Sequence, residues 1–555
     1  MKKIVTIALS FAFLASAASC NNAQKAGDDP QGLDIYLYEA GYGIEWAEAL
    51  IDAFQEEPWV KEKYPNLTVT FDSDTMGSRA SELLGQSAKV NKFDILMGQG
   101  LERALSPDGN ALDLTELVYE STVPGEDVLF KDKMLSSYVS SAAYNSKDST
   151  AEKQWFQINY VGGMGGMIYN EDILNSLGED VPNTTDELVA VMNKLKDREA
   201  GKPEGERIQP YVTYGASSYA QYLFYTWWAQ YETVEEYNNF FNGIYSAIGT
   251  RSPQIFKQKG LLRALEVLDS YMFNGISTGG TLTGGRGLTW VNPDRGTGAY
   301  RSTQNKVLLG EALFMANGDW VDNEMKQLRE DLMERDGRHD TVKMMRTPII
   351  SSIIEKLDSV ENDAELSEIV SAIDNGDDYA TFAETHPDIT EEDFDAVYEA
   401  RRIVYSVGPG HNAVIPEYAA GKDVAVDFLR FMATDKANEI FIRATNGASL
   451  PFHYDLKEKN MELYNQLTPM QQGRIDYFTQ IDTVVLPSLT SFPLVYFGDL
   501  GYMKTGGMMT FTGGVTQEEL GDYSSVAEMI WNEEYNYWTA NGNASWNACL
   551  QKAGM

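Results

Sequence analysis

A repeated order of strand and helix patterns, beginning at residue 33, constrains the fold of this chain most. In "LDIYLYEAGYG", Leu33, Ile35 and Leu37 recur at the period of two expected of a β-strand. The next stretch, "IEWAEALIDAFQEE", has apolar residues at helical spacing, and "NLTVTFDSD" and "FDILMG" supply two further strand patterns. This order predicts a parallel sheet with right-handed crossovers. Ligands of such sheets bind beyond the carboxyl ends of the strands, here at 39–43 and 97–100.

A second α/β segment begins at "QINYVGGMGGMIYNEDIL". Thr184 is predicted to cap the helix that follows, and Glu187, three residues later, completes a capping box. Farther along, "GEALFMANGDW" predicts a strand that runs into a turn. A chain of 555 residues, 43% of them hydrophobic, can fill more than one core. We therefore predict an α/β protein built from two such units.

The chain is strongly acidic, with a formal net charge of −38 from 82 acidic and 44 basic residues. Such a field repels phosphate backbones and anionic membrane surfaces, so we expect no nucleic-acid partner. A neutral ligand fits this charge best.

The first 20 residues have the parts of a bacterial export signal. Two lysines precede an apolar stretch, and small residues lead to Cys20. "AASC" resembles a lipobox, so we expect a signal peptide over 1–19, acylation of Cys20, and a lipidated polar tether over 20–32. An ordinary cleavage site with an incidental cysteine is the alternative. Acylation would leave Cys549 without a cysteine partner, so no intrachain disulfide is expected.

Several segments, in this order, resemble the extracellular solute-binding proteins of carbohydrate ABC importers, the family that includes the maltose-binding proteins. They are "LDIYLYEAGYGIEWAEALIDAFQEE…YPNLTVTF", "FDILMG", "GGMGGMIYNEDILNSLGEDVPNTTDELVAVMNKLK", "GEALFMANGDW" and "AVIPEYAAGKDVAVDFLRFMATDKANEIFIRATNGASLPFH". The resemblance covers most of the chain after the tether. It implies a two-lobe α/β fold of the type II periplasmic-binding-protein kind, whose lobes close by a hinge around a bound sugar.

The resemblance also implies how the chain divides between the lobes. The expected parts are an N-terminal lobe of 33–158 plus 345–452, a C-terminal lobe of 159–344 plus 453–555, and crossings near 155–161, near 344–350 and within 452–488. Residues 355–402 form acidic amphipathic patterns, which predict a solvated helical insertion in the first of these lobes.

Asp319 and Trp320, at the end of the strand predicted in "GEALFMANGDW", are the first candidate ligand residues. A pyranose has a flat C–H face that packs on an aromatic ring, and hydroxyls that bond strongly to an ionised carboxylate. One turn supplies both groups. The alternative is a surface turn with a core-anchoring tryptophan. The matching strand–turn–Trp segment of the family contributes to the sugar cleft, which favours the first interpretation.

The other candidates come from strand ends and aromatic segments. They are Glu39, Tyr42, Gly43, Gln99, Met164, Tyr219, Tyr222, Trp290 and His411. The residues at 39–43 follow the first strand, where glycine permits close backbone approach. Tyr219 and Tyr222 lie where the resemblance places a stacking aromatic. Trp290 either caps the ligand or anchors its Gly-rich loop, and a buried structural histidine is the alternative for His411.

Other classes of function remain open on the sequence. A secreted glycoside hydrolase needs two opposed carboxylates, and no spacing here identifies such a pair. No motif indicates a metal or a cofactor, so none is expected. A binding protein for a peptide or polyamine shares the two-lobe plan. If the ligand is a carbohydrate, the expected partners are an oligosaccharide, the permease subunits of an importer and, through the lipid anchor, the membrane. The protein itself is expected to be a monomer.

Overall fold

A computed structural model describes residues 29–101, 105–144, 152–214, 219–272, 276–278, 281–283, 287–292, 299–337, 341–480, 483–486 and 515–553. The signal peptide, Cys20 and most of the tether therefore lie outside the described residues. None of the helices within these ranges combines the length and apolarity that a bilayer crossing requires.

The strands, in chain order, are β1 Gly32–Tyr38, β2 Thr68–Asp74, β3 Ile95–Gln99, β4 Ile158–Asn159, β5 Gly165–Asn170, β6 Gln209–Tyr214, β7 Ile244–Tyr245, β8 Thr250–Arg251, β9 Ile276–Thr278, β10 Thr281–Thr283, β11 Thr289–Asn292, β12 Ala312–Gly318, β13 Val342–Met345, β14 Ile403–Val404, β15 His411–Val414, β16 Val484–Val485 and β17 Val515–Thr516.

The α-helices are Glu45–Glu56, Pro58–Lys63, Arg79–Leu84, Phe130–Lys133, Ser136–Ala142, Glu171–Leu177, Thr185–Glu199, Ala220–Glu232, Val234–Phe241, Lys259–Tyr271, Ala299–Leu308, Val321–Glu324, Lys326–Asp336, Asp363–Asn375, Tyr379–Ala383, Glu391–Arg401, Lys422–Phe431, Asp435–Ala444, Leu456–Lys459, Met461–Gln466, Pro469–Gln480, Gln517–Leu520 and Val526–Lys552. The last of these is interrupted by non-helical residues at 540–543.

Two five-stranded sheets organise the chain into two lobes. The first lobe contains the sheet β2-β1-β3-β15-β4, in which β1 pairs in parallel with β2 and β3. The second lobe contains the sheet β11-β6-β12-β5-β13, in which β6 pairs in parallel with β11 and β12. In each sheet, antiparallel strands follow the parallel ones. The predicted two-lobe α/β fold is confirmed.

Local sequence patterns account for the elements on which the lobes are built. The helix after β1 buries Trp46, Leu50 and Phe54, as its apolar spacing predicts. Thr184 caps the helix Thr185–Glu199, because its hydroxyl accepts from the Glu187 backbone at 3.2 Å. The capping box is not closed as predicted, since the Glu187 carboxylate accepts from the preceding backbone N–H, that of Asn183, at 2.7 Å.

The chain passes between the two sheets at 160–164, between β4 and β5, and at 405–410, between β14 and β15. The first passage overlaps the predicted crossing at 155–161. The second comes after the predicted insertion rather than before it at 344–350. The next passage begins beyond residue 453, whose N–H donates to Lys133 O in the first lobe at 2.8 Å.

The helices of the insertion predicted at 355–402 pack on the second lobe. Thr184 Oγ1 donates to Asp363 Oδ2 at 2.6 Å, and Arg401 donates to Thr347 O at 2.9 Å. Ile369 and Val370 are fully buried, so the helices share a hydrophobic core with the second lobe. These contacts do not agree with the predicted assignment of this segment to the N-terminal lobe. Alternating polar and apolar residues reveal a buried helix face but not which lobe buries it.

Candidate ligand-binding cleft

The loop after β1 in the first lobe meets the turn after β12 in the second. The rings of Tyr42 and Trp320 lie edge to face, with centroids 6.2 Å apart. Gly41 touches the same indole closely enough that a β-carbon there would lie 2.8 Å from Trp320 Cδ1. Asn323 Nδ2 donates to Gly41 O at 3.0 Å. The lobes are therefore in direct contact where the sequence predicted a ligand.

Asp319 is completely buried between the lobes, and the protein occupies both of its carboxylate oxygens. The Tyr42 hydroxyl donates to Oδ1 at 2.9 Å, and Arg474 Nε donates to Oδ2 at 2.9 Å. The backbone N–H of Asp319 donates to Met164 O at 3.0 Å. Burial raises the pKa of Tyr42 well above its ordinary value, and the charge of Asp319 raises it further. The hydroxyl therefore stays protonated and serves as a donor.

Trp320 belongs to an aromatic cluster in the second lobe. Tyr219 and Tyr222 lie 5.7 and 6.2 Å from its ring centroid, and Tyr405 stacks on Tyr222 at 5.2 Å. Trp320 is 8% exposed and Tyr222 is 5% exposed, whereas Tyr219 is half-buried. In this closed arrangement Tyr219 presents the accessible aromatic surface, and the indole is covered by its neighbours.

His411 occupies the first-lobe side, where it begins β15. Its Nε2 lies 3.0 Å from Gln99 Nε2, and its Nδ1 lies 3.4 Å from the Tyr160 hydroxyl. The amide nitrogen of Gln99 can only donate, so His411 Nε2 accepts and the proton of the neutral ring is assigned to Nδ1. Burial lowers the pKa of His411 to about 4. The ring is neutral near pH 7 and supports Tyr38, which stacks on it at 6.0 Å.

The model of the bacterial extracellular solute-binding protein family matches residues 40–439, which include both the β1 loop and the β12 turn. The chain belongs to the bacterial extracellular solute-binding proteins. No curated protein sequence matches it significantly.

Solved structures share the fold of this solute-binding protein at low sequence identity. The GacH receptor of Streptomyces glaucescens, described unliganded and with acarbose, is 12% identical, with a TM-score of 0.54, 91% of this chain covered and 97% of that one. The cyclic α-maltosyl-1,6-maltose binding protein of Arthrobacter globiformis is 13% identical, with a TM-score of 0.53 and coverages of 94% and 100%. A Bacillus subtilis structure described as the binding protein MsmE in an open conformation is 14% identical, with a TM-score of 0.51 and coverages of 96% and 100%.

The structure brings most of the predicted residues of this solute-binding protein to one place. Tyr42, Met164, Asp319, Trp320 and Tyr222 are buried between or beside the lobes. The predicted residues at its edge are Glu39, which is exposed, and Gly43, Gln99 and Tyr219, which are half-buried. Gly43 adopts a φ of 73°, a left-handed conformation that glycine tolerates best.

Trp290 lies apart from this group. It pairs with Val212 in the register of β11 and β6, and Lys306 Nζ lies 4.8 Å from the centre of its ring. With Gln209 and Glu311 it lines a cavity of about 1060 Å³. Those two residues mark the amino-terminal ends of β6 and β12, opposite to the turn that carries Asp319. The structure therefore favours loop anchoring over ligand capping for this side chain.

Sequence reasoning missed four side chains of the cleft: Tyr38, Gln304, Glu324 and Arg474. Tyr38 is the last residue of β1, and Glu324 ends the short helix that follows Trp320. Tyr38 and Glu324 are close in sequence to the predicted Glu39 and Trp320, and this proximity could have identified them. Arg474 lies 155 residues from Asp319 along the chain, and nothing in its local sequence indicates the pair.

Proposed function

We propose that this solute-binding protein captures a neutral oligosaccharide between its lobes and delivers it to the permease of an ABC importer. The observation that carries the proposal is the meeting of Trp320 and Tyr219 from one lobe with Tyr42 from the other, next to carboxylates at the carboxyl ends of β1 and β12. Rings of this kind pack on the C–H face of a sugar, and carboxylates accept from its hydroxyls.

Known relatives support a sugar as the ligand class. The structures from Streptomyces glaucescens and Arthrobacter globiformis are described with acarbose and as a cyclic maltosyl-maltose binding protein. At 12–13% identity they share the fold, so the ligand of this chain is argued from its own rings and acids. The strong negative charge favours a neutral sugar over an acidic one.

The closed arrangement defines how a sugar would enter. Because Gly41 and Tyr42 cover the indole of Trp320, the ring becomes available only when the lobes separate. Hinge closure around a ligand is a common motion of two-lobe binding proteins. A sugar that bonds to both lobes would then hold them together.

Anchoring and delivery complete the proposal. The export signal and Cys20 favour an extracytoplasmic lipoprotein held at the cell membrane, where permease subunits are in reach. Mass spectrometry of protein purified from membranes tests the anchor. A peptide that begins at acylated Cys20 is expected, and an unmodified cysteine would contradict it.

Calorimetry against neutral oligosaccharides, combined with chromatography of the ligand afterwards, tests the binding function. The panel contains maltotriose, raffinose, chitotriose, cellotriose and xylotriose, with a tripeptide and spermidine as other ligand classes. We expect at least one sugar to bind in the micromolar range or tighter and to be recovered intact. Cleaved sugar would identify a glycoside hydrolase, and binding of the peptide or spermidine alone would replace the sugar.

A further inference from the structure

The edge of the cleft holds three side chains with unsatisfied hydrogen-bonding atoms, here called the mouth cluster: Tyr38, Gln304 and Glu324. Tyr38 belongs to the first lobe, is half-buried, and its hydroxyl makes no hydrogen bond to any residue in the described ranges. Gln304 and Glu324 belong to the second lobe, on the helices Ala299–Leu308 and Val321–Glu324. The cluster therefore spans the cleft.

Gln304 and Glu324 of the second lobe are hydrogen-bonded to each other, and each keeps one acceptor oxygen without a donor. Gln304 Nε2 donates to Glu324 Oε2 at 2.6 Å, which settles the orientation of the amide. Gln304 Oε1 has no partner, although the side chain is only 1% exposed. Glu324 Oε1 likewise receives no hydrogen bond from the described part of the chain. A buried acceptor without a donor is unfavourable, so a ligand that supplies hydroxyl donors gains at this position.

Contacts next to the cluster bring its two halves together. Asn323 donates to Gly41 O at 3.0 Å, which holds the helix of Glu324 against the loop that follows Tyr38. Burial raises the pKa of Tyr38, and the charge of Glu324 raises it further, as expected of groups that lie near each other. Burial also raises the pKa of Glu324, against the lowering effects of Gln304 and the cation Arg301.

We propose that the mouth cluster is a hydroxyl-binding subsite that selects neutral over acidic saccharides. Glu324 Oε1 and Gln304 Oε1 accept from hydroxyls of the sugar, and the Tyr38 hydroxyl bonds to the same ligand from the opposite lobe. A uronic acid would place its carboxylate beside that of Glu324 and is rejected. This subsite rests on the proposed function, since it assigns contacts within the same cleft.

Calorimetry of three variants tests the subsite with whichever neutral oligosaccharide of the panel binds the unmodified protein. Glu324→Gln keeps the shape and removes the charged acceptor, and we expect about a 10-fold weaker affinity. Tyr38→Phe removes one neutral hydrogen bond, and we expect about a 5-fold loss. Glu330→Gln is the matched control, because it makes the same chemical change at an exposed position, and its affinity should stay within about 2-fold.

A pH profile separates a ligand contact from a structural role. The affinity of the unmodified protein should fall as the pH is lowered through the raised pKa of Glu324, because the protonated carboxyl loses its negative charge while Tyr38 stays neutral. Glu324→Gln should show a flatter profile. Unchanged affinities for both cluster variants, or tighter binding of trigalacturonate than of any neutral sugar, would overturn the subsite alone. Failure of the unmodified protein to bind any sugar would overturn the proposed function, and the subsite with it.

Discussion

Arg474 Nε donates to Asp319 Oδ2 at 2.9 Å, and neither side chain is more than 2% exposed. The same guanidinium donates to Gly162 O at 3.2 Å and to Ser449 Oγ at 2.7 Å. Tyr42, from the first lobe, donates to the other carboxylate oxygen. The ion pair thus joins the turn after β12 to the first lobe and to the passage at 160–164. A direct contact between Asp319 and a sugar stays a prediction. In the closed form a sugar hydroxyl would have to replace the Tyr42 hydroxyl as the donor to Oδ1.

Loss of Arg474 should destabilise the protein strongly. Arg474→Gln leaves the Asp319 carboxylate buried without a positive partner, and we expect the free energy of unfolding to fall by about 3–5 kcal/mol. The double variant Arg474→Gln/Asp319→Asn buries no charge, so it should lose less than Arg474→Gln alone. Urea unfolding of the three proteins measures both effects.

An exposed ion pair provides the control for this series. Arg443 and Glu439 are 3.0 Å apart, with side chains 54% and 35% exposed, so Arg443→Gln should cost less than about 1 kcal/mol. Equal losses for Arg443→Gln and Arg474→Gln, or a double variant at least as unstable as Arg474→Gln alone, would contradict the importance assigned to the buried pair.

The half-buried ring of Tyr219 and the buried ring of Trp320 should respond differently to truncation. Tyr219 is half-buried, so Tyr219→Ala should weaken sugar affinity by about 1–2 kcal/mol while changing stability little. Trp320 is packed by Tyr42, Tyr219 and Tyr222, so Trp320→Ala should weaken affinity by about 2–4 kcal/mol and also destabilise the fold. Calorimetry and thermal unfolding separate the two effects. Unaltered affinity in both variants would dismiss the aromatic platform.

The parts of the fold that were predictable depend on local periodicity. The alternation at 33–37 and the helical spacing after it report burial directly, because a strand repeats every two residues and a helix every 3.6. Ligands bind at the carboxyl ends of parallel strands, and this rule correctly predicted that the loop at 39–43 lies at the cleft. Tyr42 and Asp319 are 277 residues apart, so their hydrogen bond could be expected only from the topology and not from either local sequence.

The positions that the sequence did not settle have a common physical cause. Trp290 lies in a Gly-rich segment whose sequence does not indicate which end of the sheet it approaches. The helices at 355–402 show a buried face, but the surface that buries it is set by long-range packing. Arg474 reads as one polar residue in a helix with little amphipathic pattern. Each of these positions depends on tertiary contacts, which a single sequence does not display.

His411 should make the stability of the protein depend on pH. Its pKa is about 4 in the folded protein and close to 6.5 when unfolded. Between these values the unfolded chain binds the proton and the folded chain does not, so stability falls as the pH is lowered from about 6.5 to 4. The total effect is about 3 kcal/mol. His411→Gln removes the titrating group, and urea unfolding at several pH values should show that the variant loses less stability on acidification than the unmodified protein. Parallel pH profiles would contradict this.

Asp94 should produce the opposite slope in nearly the same range. Burial raises its pKa from 3.8 to about 6, although it accepts from the backbone N–H groups of Asp34 and Gly421 at 2.9 and 2.8 Å. Between these values the folded protein binds the proton more tightly than the unfolded chain, so stability falls as the pH rises from about 4 to 6. The expected change is about 3 kcal/mol.

Asp94→Asn isolates this contribution. The variant is less stable than the unmodified protein at pH 4, because its amide cannot accept both backbone hydrogen bonds. Its stability does not depend on the protonation of residue 94. The difference in unfolding free energy between the unmodified protein and Asp94→Asn should therefore shrink by about 3 kcal/mol from pH 4 to pH 6.5. For His411→Gln the corresponding difference should grow over that range, because the unmodified protein regains stability as its histidine ceases to bind protons in the unfolded chain. Slopes of the same sign in the two variants would show that one of these buried groups is paired differently from the contacts described.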